Sequence, residues 1–284
     1  MNQDLAIERI LFLDIETCPA YRSLGELPSI LREYWKRRYD ERRAPAHAEL
    51  DQEEYFQMQA GIHALYARVV CISMGYFYRN GNNNAAWQQL SIYDLDESKI
   101  LLSFAEKWNS FKGYMDKVPY SQKERANYGV CGHNIANFDI PFLGRRFLIM
   151  GLALPDFWRV AQWAPPWQLK EPTVLDTMAL WNFTNRENSY ISLEMLAFAL
   201  GIHFQKALYP SEIYHAFQAW EASREVKEFL PVVEYCEKDV RVTAEIYLRM
   251  QLRPEVREPY ISALRNYEEN TLTSTSSAYE SPHN

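Results

Sequence analysis

Apolar positions along this chain follow two rhythms, and switching between them divides it into elements. Ile10-Leu11-Phe12-Leu13 is an uninterrupted apolar run of strand length that ends in Asp14-Ile15-Glu16-Thr17. Arg68 to Tyr78 reads as a second strand, Gly81-Asn-Asn-Asn as a turn, and Trp87 to Tyr93 as the returning strand of a hairpin. Asp96 then caps a predicted helix whose apolar positions, Ile100, Leu101, Phe104, Ala105 and Trp108, recur at helical spacing. Tyr114 to Asn127 is a polar connection, and Tyr128-Gly-Val-Cys-Gly-His133 is a short buried strand. A helix from Pro141 to Met150 follows, then a loop through Pro155, Pro165 and Pro166, and the segment Thr173-Val-Leu-Asp-Thr177. Ser192 to Gly201 has a capping serine and a terminal glycine, and Pro231 suits the first turn of a long helix reaching about Leu252.

Between the first strand and the hairpin, residues 20–65 read as a helical insertion. It is first basic (Arg32, Lys36, Arg37, Arg38, Arg42, Arg43) and then acidic (Glu49, Asp51, Glu53, Glu54), the pattern of a solvated helical face, with substrate contact as the alternative. Residues 266–284 have little to bury and are expected to be a disordered tail. Strands alternating with helices after a hairpin predict an α/β fold, a mixed sheet flanked by helices, in one domain over residues 1–265.

Composition narrows the class. A chain of 284 residues with 48% hydrophobic content can bury a full core. It contains no apolar run near the roughly 18 residues of a membrane span, and Met1-Asn-Gln-Asp-Leu5 lacks a signal-peptide pattern, so a cytoplasmic protein with no membrane partner is expected. Cys18, Cys71, Cys131 and Cys236 are dispersed without a C-x-x-C pair, which suggests buried, reduced thiols. A net charge of −7 argues against nonspecific coating of nucleic acid. An enzyme acting at strand ends remains compatible, because divalent cations bound by carboxylates reverse the local charge seen by a phosphate.

The i, i+2 spacing of Asp14 and Glu16 presents both carboxylates on one face of a strand. Asp94-Leu-Asp96 has the same spacing, so that pair alone decides nothing. Asn134-Ile-Ala-Asn-Phe-Asp139 and Tyr235-Cys-Glu-Lys-Asp239 add two further acids, and Tyr235 and Asp239, four apart, share a face of the last long helix. Phosphodiester hydrolysis needs an activated water and stabilisation of charge, which two metal ions about 3.5–4 Å apart provide. Hard cations such as Mg²⁺ or Mn²⁺ take oxygen ligands and keep several waters, so Asp14, Glu16, Asp139 and Asp239 suffice as a donor set. Asp239 would ligate the ion that holds the water, and the neutral Tyr235 phenol would orient that water.

In this order the three segments resemble the Exo I, Exo II and Exo III motifs of DEDD-type 3′→5′ exonucleases, which are DnaQ-like and ribonuclease H-like, and Tyr235 places the resemblance in the DEDDy subgroup. Gly132 to Leu143 is similar to Exo II of family B DNA polymerases, and Tyr235 to Val240 to their Exo III. Ala60-Gly-Ile-His-Ala64 and Val70 to Tyr76 are similar to stand-alone bacterial exonucleases related to that polymerase domain, a resemblance over residues 9–255. It implies a ribonuclease H-like fold that releases nucleoside 5′-monophosphates from a 3′ end. It also implies that Asp14 bridges two ions, that Glu16 and Asp239 complete the first, and that Asp139 holds the second. Glu16 would meet the terminal 3′-hydroxyl, and Thr17, Asn134, Asn137 and Phe138 would contact the terminal nucleotides.

The chain is too short for a polymerase's remaining domains, so a polymerase or repair factor would be a separate partner. Single-stranded DNA is the expected substrate, with an RNA 3′ end as the alternative and a non-hydrolytic nucleic-acid-binding protein as the competing class. Asp176 is expected to be a structural hydrogen-bonder, and His133, His203 and His215 are given structural roles. Trp158, Trp163, Trp167 and Trp181 are core or lid residues, with base stacking as the alternative.

Overall fold

A computed structural model describes residues 5–42, 49–116, 128–164, 172–183, 190–204 and 208–279. Strands β1 (Ile10–Pro19), β2 (Ala67–Arg79), β3 (Ala85–Tyr93), β4 (Gly129–Gly132) and β5 (Thr173–Asp176) form one mixed sheet in the order β3-β2-β1-β4-β5. The pair β1–β2 and the hairpin β2–β3 are antiparallel, while β1–β4 and β4–β5 are parallel. This is the mixed sheet flanked by helices that the sequence pattern predicts.

β1 lies at the centre of the sheet and is apolar on both faces, as a strand covered on both sides must be. Its alternation divides the core. Leu11, Leu13 and Ile15 pack with helices α3 (Glu97–Met115), α4 (Asp139–Ile149) and α5 (Asp156–Ala161). Ile10 and Phe12 face the opposite way, toward α9 (Leu230–Gln251) and α10 (Pro254–Tyr279). Cys18, farther along the same face, meets α9 and α8 (Pro210–Ser223). Asp14 and Glu16 therefore fall on the α9 side, between two apolar clusters.

The insertion is more than a solvated face. Helices α1 (Ser29–Arg42) and α2 (Gln52–Gln59) and a 3-10 turn (Ala60–Ile62) close on a core of their own, in which Trp35 sits edge-on to Phe56 at 5.0 Å and Tyr66 at 4.9 Å. Lys36 and Arg37 face solvent as expected, but Arg32 donates to the carbonyls of Gly25 and Leu27. Arg43 lies outside the described residues, as do Trp167, Pro165, Pro166 and most of the polar connection before Tyr128.

Most boundaries follow the residues that announced them. Asp96 caps α3, Ser192 caps α7 (Leu193–Ala199), and Pro231 sits in the first turn of α9. Strand β3 begins two residues early, at Ala85, α3 runs on to Met115, and two further helix boundaries differ for reasons the structure shows. Helix α4 begins at Asp139, two residues before the expected start, because Pro141 is tolerated in a first turn where its missing N–H leaves nothing unpaired. Helix α10 continues through Asn266, where composition suggested that a tail begins, because Tyr260, Ile261, Ala263 and Leu264 dock it on the second cluster and Tyr267 adds to that contact. Trp158 is a core residue whose indole N–H donates to the Ile140 carbonyl at 2.8 Å, whereas Trp163 is 89% exposed. Among the described residues, no helix is long and apolar enough to cross a membrane.

Candidate active site

Parallel strands direct their carboxyl ends to one edge of the sheet, and the loops that follow them build the site there. Pairing of β1 with β4 stops at Phe12↔Cys131, so Asp14 lies just beyond the end of β4. On the other side, β1 pairs with β2 through Glu16↔Cys71 and then shifts to Thr17↔Val69, leaving Val70 as an extra residue in a bulge. The bulge sits beside the acidic pair, and Thr17 beyond it turns toward the insertion, where its hydroxyl donates to the Gly61 carbonyl at 2.7 Å.

The four acids come together. Burial, and after it the charges of Glu16, Asp239 and Asp139, raises the Asp14 pKa well above the ordinary carboxylate value. Carboxylates from three separated segments thus act on one another at close range. Glu16, Asp139 and Asp239 are buried, and Asp14 is half-buried. Burial, with a contribution from the Asp176 charge, pushes Asp139 up to about 7, while its own backbone N–H and that of Ile15 partly offset the shift. Tyr235 is pushed far above the usual phenol range by burial and then by the charges of Asp239, Glu16 and Asp14. Its hydroxyl is hydrogen-bonded to Asp239, which keeps it a neutral phenol.

Each acid is held by its own local structure. Asp139 occupies the first turn of α4, where backbone N–H groups favour a carboxylate. The loop leading to it is shaped by Asp176, whose carboxylate accepts from the N–H groups of Asn134 and Ala136 and also caps α6 (Thr177–Trp181) through Met178 and Ala179. Accommodating that carboxylate turns Asn134 to φ 59°, a conformation that Asn tolerates better than most residues. Asp176 is therefore the hydrogen-bonding residue expected, one that positions the loop. Helix α4 is itself fastened by a buried ion pair, Arg146 to Glu97 at 2.6 Å. Arg146 also reaches the Ala64 carbonyl, and Glu97 accepts from the Val69 N–H.

Helix α9 shows how one face serves packing and chemistry together. Val232, Val233 and Cys236 face one apolar cluster, and Val240, Ala244, Tyr247 and Leu248 face another. Tyr235 and Asp239 lie between them. Sequence reasoning missed Cys236. Its thiol donates to Asp14 Oδ2 at 3.4 Å and approaches the Asp14 carbonyl at 3.6 Å. Placing residues 232, 236 and 240 on one helical stripe would have shown that position 236 points at β1.

Asn134, Asn137 and Phe138 belong to the connection between β4 and α4, and Thr17 follows Glu16 near the end of β1. The Asn137 side-chain amide donates to Asn134 Oδ1 at 3.0 Å. The Phe138 ring lies 5.4 Å from Phe142 and packs against the first cluster. His133 bonds Thr177 and the Ile191 carbonyl and has a structural role, while His203 and His215 are exposed.

The donor chemistry suits a divalent cation. Asp14, Glu16 and Cys236 offer ligand atoms that all lie within 4.8 Å of one another, and the charge crowding around Asp14 is the kind a cation relieves. Oxygen donors dominate once Asp139 and Asp239 are included, which favours hard ions.

The family match agrees with this architecture. A family model described as the RNase_H superfamily matches residues 60–251, from the end of the insertion through α9. β1 precedes the matched region, so the placement of Asp14 and Glu16 rests on the structure alone. No curated protein matches. Among solved structures, the family B DNA polymerase from the hyperthermophilic archaeon Pyrobaculum calidifontis is similar at 15% identity and a TM-score of 0.45, over 84% of this chain. The chain spans 24% of that polymerase.

Proposed function

The chain belongs to the RNase_H superfamily, and from that premise we propose that it is a nuclease. More finely, we propose a metal-dependent 3′→5′ exonuclease that removes nucleoside 5′-monophosphates from single-stranded DNA. The observation that supports this most is the mutual electrostatic pressure of Asp14, Glu16, Asp139 and Asp239, together with a phenol bonded to the last of them.

Asp14, Glu16, Asp139 and Asp239 would hold two Mg²⁺ or Mn²⁺ ions, which when bound supply charge stabilisation and an activated water. The protein's own contribution is placement. Cys236 orients the Asp14 carboxylate, Asp176 shapes the loop before Asp139, and Tyr235 donates to Asp239 while its oxygen can still accept from water. Glu16 is the group nearest in role to the terminal 3′-hydroxyl, with Thr17, Asn134, Asn137 and Phe138 beside the terminal nucleotides. A polymerase or repair factor would be a separate partner, and the compartment of action would be the cytoplasm.

The test is digestion of 5′-labelled DNA and RNA oligonucleotides with Mg²⁺ or Mn²⁺. Stepwise shortening from the 3′ end, abolished by Asp14→Ala or Asp239→Ala in folded protein, is the expected result. Faster shortening of RNA would move the substrate to RNA. An unaltered rate in either variant would sink the assignment.

A further inference from the structure

The insertion carries a basic patch that the acid site does not use. On α1, Ile30, Tyr34 and Arg38 are four apart and share one face. Ile30 is 74% exposed and Tyr34 47% exposed, so this face is open to solvent. Arg38 Nη2 lies 2.9 Å from His63 Nε2, and its Nε is buried with no hydrogen-bond partner among the described residues. Arg145 is exposed on α4, and its neighbour Arg146 donates to the carbonyl of Ala64, the residue after His63, at 2.7 Å, so the Arg145 charge also bears on this imidazole. Burial and then the charges of Arg38 and Arg145 push His63 down to about 4, so it stays neutral and cannot add to the repulsion.

Among the described residues, neither arginine has an acidic partner in an ion pair, in a chain whose net charge is −7. The Arg38 guanidinium thus meets a neutral ring with a buried donor to spare, and a second cation, Arg145, stands on the helix packed beside it. An anion is the ligand such an arrangement accepts, and arginine matches phosphate oxygens with paired donors.

The patch also stands at a useful distance. His63 is two residues from Gly61, whose carbonyl holds the Thr17 hydroxyl directly after Glu16. Arg145 is six residues along α4 from Asp139, about 9 Å at a helical rise of about 1.5 Å per residue. We propose that Arg38 and Arg145 form a phosphodiester-binding subsite for the substrate strand one to two nucleotides from the acid cluster, with Tyr34 as a stacking surface for a base. This gives the basic segment of the insertion its role. The direction of the strand rests on the exonuclease reading; the binding itself does not.

The test is fluorescence anisotropy of the full chain with 5′-fluorescein 12-nucleotide DNA and RNA of the same sequence, in EDTA, across a salt series. Arg145→Gln is expected to weaken binding about tenfold and to lower the slope of log affinity against log salt by about 0.7, the value for one lost phosphate contact on a single strand. Tyr34→Ala is expected to weaken binding without changing the slope, and the distant surface change Arg265→Gln to change neither. Arg38→Gln is expected to repeat the Arg145 effect, but because Arg38 also supports His63, the exposed Arg145 carries the test.

An Arg145→Gln protein with native circular dichroism and unchanged affinity and slope overturns the subsite. Equal losses on DNA and RNA support backbone recognition, whereas a loss on only one overturns it by moving the contact to the sugar. Hydrolysis plays no part in this measurement. A protein that binds through the patch and cleaves nothing would therefore overturn only the exonuclease reading.

Discussion

Replacing Asp139 with Asn should stabilise the metal-free protein, and do so more at high pH than at low pH. The Asp139 pKa rises from an ordinary 3.8 to about 7 in the fold, chiefly through burial. Between those values the folded state keeps a proton that the unfolded state has lost, so stability falls as pH rises through this window and is lowest above about 7. A shift of about three units at about 1.36 kcal/mol each sets a ceiling near 4 kcal/mol. Asn removes the charge but gives up one of the two hydrogen bonds Asp139 accepts, about 1 kcal/mol, so the net gain at pH 8 is about 3 kcal/mol. At pH 5 the burden on the native protein is only about 1.6 kcal/mol, and the variant's advantage shrinks to below about 1 kcal/mol. Urea unfolding in EDTA at both pH values measures the difference. By thermal unfolding the gain at pH 8 corresponds to several degrees, at about 2 °C per kcal/mol for a chain of this size. Mn²⁺ should then stabilise the native protein more than the variant. A gain of equal size at pH 5 and pH 8, or a loss at pH 8, would refute the claim that burial of the Asp139 charge sets the pH dependence of stability here.

Three further outcomes are expected. Tyr235→Phe should lower kcat about a hundredfold while most Mn²⁺ affinity, read by electron paramagnetic resonance, is kept, because the proposed water-orienting hydroxyl is removed and Asp239 loses one hydrogen bond but keeps its carboxylate; a wholly lost metal affinity would contradict that role. Cys236→Ser, which keeps a donor to Asp14, should retain more Mn²⁺ affinity than Cys236→Ala, and Ala should cost about 1 kcal/mol of stability or more; equal affinities would show that the thiol does not orient Asp14. Glu97→Ala should destabilise by about 3–5 kcal/mol because it leaves Arg146 buried and unpaired, while Glu97→Met with Arg146→Met should recover much of that in chemical denaturation; a double variant no better than the single one would mean the pair contributes more than its mutual neutralisation.

Sequence alone determined what depends on near neighbours along the chain. Period two set which residues of β1 share a face, capping side chains set where α3 and α7 begin, and the four-residue step from Tyr235 to Asp239 set their common direction on α9. It also supplied the residue types of the candidate hard-cation site, because Asp, Glu and a neutral phenol have that chemistry wherever they stand. Tertiary structure decided everything that depends on what is adjacent across space. Packing made Asp176 the support of a loop more than 35 residues before it and brought Cys236 against Asp14 across 222 residues. It also gathered Arg38 and Arg145 around His63 and gave the insertion its own core around Trp35. The same packing lifts the Asp139 pKa, since desolvation and the field of other carboxylates exist only once distant segments exclude water together.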